Sequence, residues 1–293
     1  MSERSERGVP VSAAPGYKPA ATLSLRAEAA RQLTRRRTQF ALGFLVVLPL
    51  ILLAAFLIGG SPSDEDSATR GVSLVDVATA SAANFTLFTL FASSTFLLVV
   101  VVALFCGDTV ASEASWGSLR YLLAAPVPRA RLLRQKLLVA LGYSGFALVL
   151  LPTVALISGA AAFGWDPLST PIGEQIPPWP AVGRIALAVG YIGVSLLMVA
   201  SLAFLLSVTT DAPLGAVGGA VMLYITSNIL DTVEALGDLR AVLPTRYNLA
   251  WLGALSSPVQ TDDMVKGCIS ALLYSTLFLA LAWRKFTRKD IVS

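Results

Sequence analysis

Glu113 and the cations Arg120, Arg129, Arg131, Arg134 and Lys136 crowd together in a chain otherwise poor in charge. The stretch 117–136, GSLRYLLAAPVPRARLLRQK, holds five Lys or Arg and no acid, and apolar runs lie directly before and after it. Such a segment offers salt bridges and hydrogen bonds to a partner or to lipid headgroups. Composition excludes most other chemistry. With no histidine, Ser-His-Asp and Cys-His nucleophiles are ruled out, and no Gly-Lys pair completes a phosphate-binding loop, so the chain is not expected to hydrolyse ATP itself. The two cysteines give neither a disulfide nor a metal site. Cys106 closes one apolar run and Cys268 opens another on the opposite side, beyond the roughly 7 Å that a disulfide can bridge.

The elements that must position these residues are membrane helices. The 293 residues are 55% hydrophobic and 14% charged with a mean hydropathy of +0.72, far from the roughly 25% charge of a soluble domain. Six apolar runs, near 39–58, 85–106, 137–158, 185–208, 214–230 and 267–283, are each long enough to cross a hydrocarbon core about 30 Å thick. Their unbroken apolarity excludes a barrel. No cleavable signal peptide is expected, since the first run starts near residue 39 and is too long for a signal core. Basic residues set the orientation: eight lie in 1–38, five in 107–136 and four in 284–293, against Arg70, Arg240 and Arg246 in the loops opposite. The positive-inside rule then predicts cytoplasmic N- and C-termini. The net charge of +4 reads as topology determinants and contacts with membrane lipids, with no nucleic-acid partner.

Residues 1–19 read as a disordered cytoplasmic tail and 20–293 as one transmembrane domain. Between them and span one, Leu23, Ala27, Ala30 and Leu33 recur at helical spacing among Arg26, Arg31, Arg35, Arg36 and Arg37, which predicts an amphipathic interfacial helix. Residues 108–125 favour a second surface helix, with Trp116, Leu119 and Leu123 as its apolar stripe, before Pro126 interrupts and Pro128 opens span three. Lipid contact and protein docking are both open for it on physical grounds. No Asp, Glu, Lys or Arg lies well inside the six runs, which argues against an ion-coupled relay. Asn84, Ser93, Ser94, Thr226 and Asn228 supply uncharged polarity that would line a translocation path or simply bond helices together. The region 231–263 is too apolar for a solvated loop, and Tyr247 and Trp251 are suited to an interface.

The segment ASEASWGSLRYLLAAPVPRARLLRQKLL resembles the pattern E-x-x-x-G-T-L-x-x-L-L-x-x-P-V-x-R followed by Lys in bacterial ABC transporter permeases of the type 2 (ABC-2) exporter family. The matches are Glu113, Gly117, Leu119, Leu122, Leu123, Pro126, Val127, Arg129 and Lys136, with Ser118 where Thr is usual and Trp116 at a commonly polar position. The resemblance implies an all-α integral membrane protein with six transmembrane helices in the bacterial cytoplasmic (inner) membrane. It also implies a cytoplasmic coupling helix between spans two and three that docks on a separate ATP-binding subunit. Glu113, Ser118 and Arg120 would make polar contacts with that ATPase, Trp116 and Leu119 would pack, and Gly117 and Pro126 belong to the same ATPase-coupling motif. Re-entrant short helices before span six would carry Tyr247 and Trp251 as outer anchors. The implied function is the permease subunit of an ATP-driven exporter, working with two ABC ATP-binding subunits and a second permease, identical or related. ATP and Mg would sit on the partner, and this chain would bind no cofactor or metal. The alternative is a secondary transporter or channel not coupled to ATP.

Overall fold

The computed structural model describes residues 25–59, 77–115, 129–170 and 174–288. Among the described residues eight α-helices follow one another: α1 (Leu25–Leu33), α2 (Arg36–Gly59), α3 (Ala82–Ser94), α4 (Leu97–Ser115), α5 (Arg129–Phe163), α6 (Pro178–Thr209), α7 (Pro213–Thr232) and α8 (Asp262–Arg288). A two-residue antiparallel hairpin, β1 (Leu168–Ser169) with β2 (Gln175–Ile176), joins α5 to α6, and two 3-10 helices, Glu234–Val242 and Ala250–Leu255, join α7 to α8. Six of the helices, α2 and α4 to α8, are long and apolar enough to cross a membrane. The protein is thus an all-α, multi-pass membrane protein.

Local chemistry sets the boundaries. Ser81 caps α3 by accepting from the Asn84 backbone N–H at 3.3 Å. Proline opens both α6 and α7, where a missing N–H costs nothing. Gly164, with φ of 77°, takes the left-handed conformation that stops α5. Pro49 and Pro152 lie inside α2 and α5, as membrane helices tolerate when neighbours satisfy the freed carbonyls.

α4 and α6 form the centre of the bundle. Their spanning windows are 78% and 61% buried, against 11% for α2 and 22% for both α7 and α8. α6 packs on α4, α7 and α8, while α5 packs on α2, α3 and α4. Leu98, Val99, Phe105, Leu132, Leu133 and Phe204 fill the space between them. The ends of α4, α6 and α8 and the starts of α2, α5 and α7 gather at one end of the bundle with α1. The hairpin and the 3-10 helices occupy the other.

Several boundaries differ from the sequence expectation. The other five spans extend beyond the expected runs at both ends, to the helix bounds given above. Span two, expected as one helix over 85–106, is two, broken at Thr95 and Phe96. The Ser93-Ser94-Thr95 run explains the break, since such hydroxyls compete for backbone carbonyls; Ser94 Oγ donates to the Phe91 carbonyl at 3.4 Å. The surface helix expected from Asp108 does not begin there. α4 instead runs through Cys106 to Ser115, because residues 107–113 are buried by neighbouring helices and need not be apolar to stay helical. The predicted tail at 1–19 and the coupling-helix residues Trp116, Gly117, Ser118, Leu119, Arg120 and Pro126 lie outside the described residues.

Candidate functional site

Lys136, on the third turn of α5, is only 1% exposed and sits among carboxylates. Its Nζ lies 2.5 Å from Glu113 Oε1 at the end of α4 and 3.0 Å from Glu28 Oε1 on α1. Arg31, one turn along α1, closes the ring with Nη2 2.5 Å from Glu28 Oε2 and 2.6 Å from Glu113 Oε1. Burial raises the Glu28 pKa, but the charges and hydrogen bonds of Lys136 and Arg31 outweigh it and leave the carboxyl below its ordinary value. The Tyr143 hydroxyl of α5 donates to the Ala29 carbonyl at 2.8 Å and pins α1 in place.

A second cluster lies one turn deeper. Asp108 accepts from Arg35 and Arg37, both at 2.7 Å, one on each carboxylate oxygen. Arg35 also donates to Ser112 Oγ at 3.1 Å. These groups border a cavity of about 600 Å³ between the α1–α2 junction and the end of α4. Both halves of α1 matter to this arrangement. Glu28 and Gln32 face the bundle and are buried, while Ala27, Ala30 and Leu33 point away and remain exposed. The apolar stripe of the predicted interfacial helix is therefore its outward face; Leu23 falls outside the described residues.

Chemically the site is a brace. Its carboxylates are neutralised by cations on other helices, and among the described residues no group of His, Cys, Asp and Glu is arranged to hold a metal. Buried ion pairs add little net stability, because desolvation offsets their attraction, but they fix which helices meet and where. Here they bind α1, α2, α4 and α5 around the two ends of 116–128.

The sequence expectation for Glu113 needs correction on this point. At 4% exposure, held by Lys136 and Arg31, its carboxylate faces the inside of the bundle rather than an open surface. It ties the end of α4 to α5 and α1.

The five path candidates are not brought together. Asn84, Ser93 and Ser94 are buried along α3, whereas Thr226 faces outward from α7. Asn84 holds the hairpin, donating to the Ser169 carbonyl at 2.7 Å and accepting from the Ser169 N–H at 3.0 Å. Asn228 accepts from Asn248 at 3.0 Å, next to a bond from Asn248 to the Tyr224 hydroxyl at 2.9 Å. Trp251 is also corrected: it is 0% exposed and packs in the core, so it is no interfacial anchor. Tyr247 is half-buried, and its carbonyl accepts from the Tyr191 hydroxyl at 2.5 Å.

Sequence reasoning missed Glu28 and Asp108 as partners for the N-terminal arginines. The available signal was an excess of Arg at 31–37 with two isolated acids closing the apolar run of span two. A family model described as a protein of unknown function (DUF2705) matches residues 67–292. That match takes in Asp108, Glu113 and Lys136 but not α1 and α2, which supply the arginines and Glu28. No curated protein matches the chain.

Proposed function

The chain belongs to this family of unknown function, and we propose that it is the permease subunit of an ATP-driven exporter of the type 2 class. Both termini are cytoplasmic in this reading, residues 116–128 dock on a separate ATP-binding subunit, and nucleotide hydrolysis takes place on that subunit. Two permease chains and two ATP-binding subunits make the working complex in the bacterial inner membrane.

The observation that carries the reading is the brace itself. Force applied to 116–128 is transmitted to α4 through Glu113 and to α5 through Lys136, and both are tied to α1 and α2 by Glu28, Arg31, Arg35 and Arg37. A docking segment moves spanning helices only if its two roots are rigid, and buried ionic contacts of defined geometry make them so. A simple lipid-facing loop has no use for that rigidity.

The test is coexpression of the tagged full chain with the ATP-binding subunit encoded beside it, followed by purification in mild detergent and measurement of ATP hydrolysis. Copurification, weakened by Arg120→Ala while the chain still inserts and elutes normally, supports the assignment. Failure of any cellular ATP-binding subunit to associate would overturn it and favour the secondary transporter.

A further inference from the structure

At the same end of the bundle as the brace, but between α6 and α8, a groove of about 630 Å³ has a different character. Leu205, Leu206 and Leu281 form its walls, and Arg284, Lys285 and Arg288 stand at its outer end. Among the described residues none of these three cations makes a salt bridge and no carboxylate lines the groove. The contrast with the brace is informative: there the arginines meet Asp108 and Glu113, and here three positive charges meet none. The C-terminal dipole of α8 favours cations in its last turn, but it amounts to about half a charge and leaves most of the excess uncompensated.

Geometry selects the ligand. Leu281 and Arg288 are seven residues apart, so at a rise of about 1.5 Å per residue the apolar wall sits roughly 10 Å below the last cation. That is the scale on which a phospholipid passes from phosphate to acyl chain across the interfacial layer. A soluble protein surface would match the cations but leave the leucine wall unfilled.

We propose that this groove binds one anionic phospholipid, its phosphate on Arg284, Lys285 and Arg288 and an acyl chain along Leu205, Leu206 and Leu281. A net negative headgroup is required, because a zwitterionic one brings its own ammonium to a triply cationic rim. The site stands whether or not an ATPase docks elsewhere at this end.

The test uses the full chain, delipidated in detergent and titrated with phosphatidylglycerol or phosphatidylcholine while bound lipid is counted by native mass spectrometry. One phosphatidylglycerol should be retained in preference to phosphatidylcholine. Substituting all three cations (Arg284→Gln, Lys285→Gln, Arg288→Gln) should weaken its retention about a hundredfold, from three surface cations each contributing about fivefold. Leu281→Trp, which fills the wall and spares the cations, should also displace the lipid, so a folding defect in the triple variant does not decide the question. Equal retention of the two lipids, or unchanged phosphatidylglycerol retention by both variants, would overturn the proposal. So would a triple variant that keeps its lipid but loses the ATP-binding subunit, since the groove would then be a protein-docking face.

Discussion

Lys136 Nζ and Glu113 Oε1 lie 2.5 Å apart, and that contact joins the end of α4 to the start of α5 across the segment 116–128. Neither side chain has water to turn to, at 1% and 4% exposure. Replacing Lys136 by Met leaves two buried carboxylates, Glu113 and Glu28, to share the single cation Arg31, and should destabilise the protein by about 3–5 kcal/mol. Adding Glu113→Gln should restore much of that loss, because the remaining charges on Glu28 and Arg31 still match. Unfolding midpoints of the purified protein in detergent will show this; equal midpoints for wild type and Lys136→Met would refute the pairing.

Glu28 makes the docking of α1 dependent on pH. Burial raises its pKa, but Lys136 and Arg31 together bring it below the ordinary 4.5. A carboxylate whose folded pKa is depressed stabilises fully above its unfolded value and loses that contribution as pH falls through the folded one. The midpoint difference between wild type and Glu28→Gln should therefore be constant from neutral pH down to about 4.5 and should shrink below it. A difference that grows as the solution is acidified would mean the opposite sign of coupling.

The spans were legible in the sequence because apolar runs, Pro and Gly carry the information locally. Their ends were not. Hydropathy stops at Cys106, yet α4 continues for nine residues, because GDTVASEAS is sheltered by α6, α7 and the N-terminal arginines rather than by lipid. Glu113 and Lys136 were visible as members of one motif, whereas their mutual contact depends on α4 and α5 lying side by side. Glu28 with Lys136, 108 residues apart, and Arg35 with Asp108, 73 apart, have no local signature at all. Trp251 fails for a related reason: an indole suits a membrane interface and a protein core equally, and only the packing of α6 and α8 around it decides.

Asn84 clamps the hairpin onto α3, and hydrogen exchange can separate that role from a place in a translocation path. Its amide mimics a neighbouring strand, exchanging two hydrogen bonds with Ser169, while Ser81 Oγ donates to its Oδ1 at 2.8 Å. Asn84→Ala should speed exchange of the Ser169 amide by about ten- to a hundredfold, from the loss of a buried bond. Asn84→Asp, which keeps the acceptor and loses the donor, should fall between. Unchanged exchange accompanied by lower transport would return Asn84 to a translocation role.

Gly267 is where the linker between α7 and α8 is pressed against the core. A Cβ built there would run into the Tyr191 hydroxyl and approach Tyr247 Cβ to 2.8 Å, inside van der Waals contact. The same hydroxyl donates to the Tyr247 carbonyl, so the added methyl cannot be accommodated without displacing the bond that holds this stretch onto α6. Gly267→Ala should cost about 1–3 kcal/mol, the range for overpacking a filled site. Tyr191→Phe, which deletes the bond but frees the space, should cost about 1 kcal/mol. If the clash is the cause, the double variant will be less destabilised than the two single effects added together, since the methyl then occupies the room the hydroxyl left. Additive midpoint shifts would instead mean that Gly267 is needed for its backbone alone and that Tyr191 does not press on it.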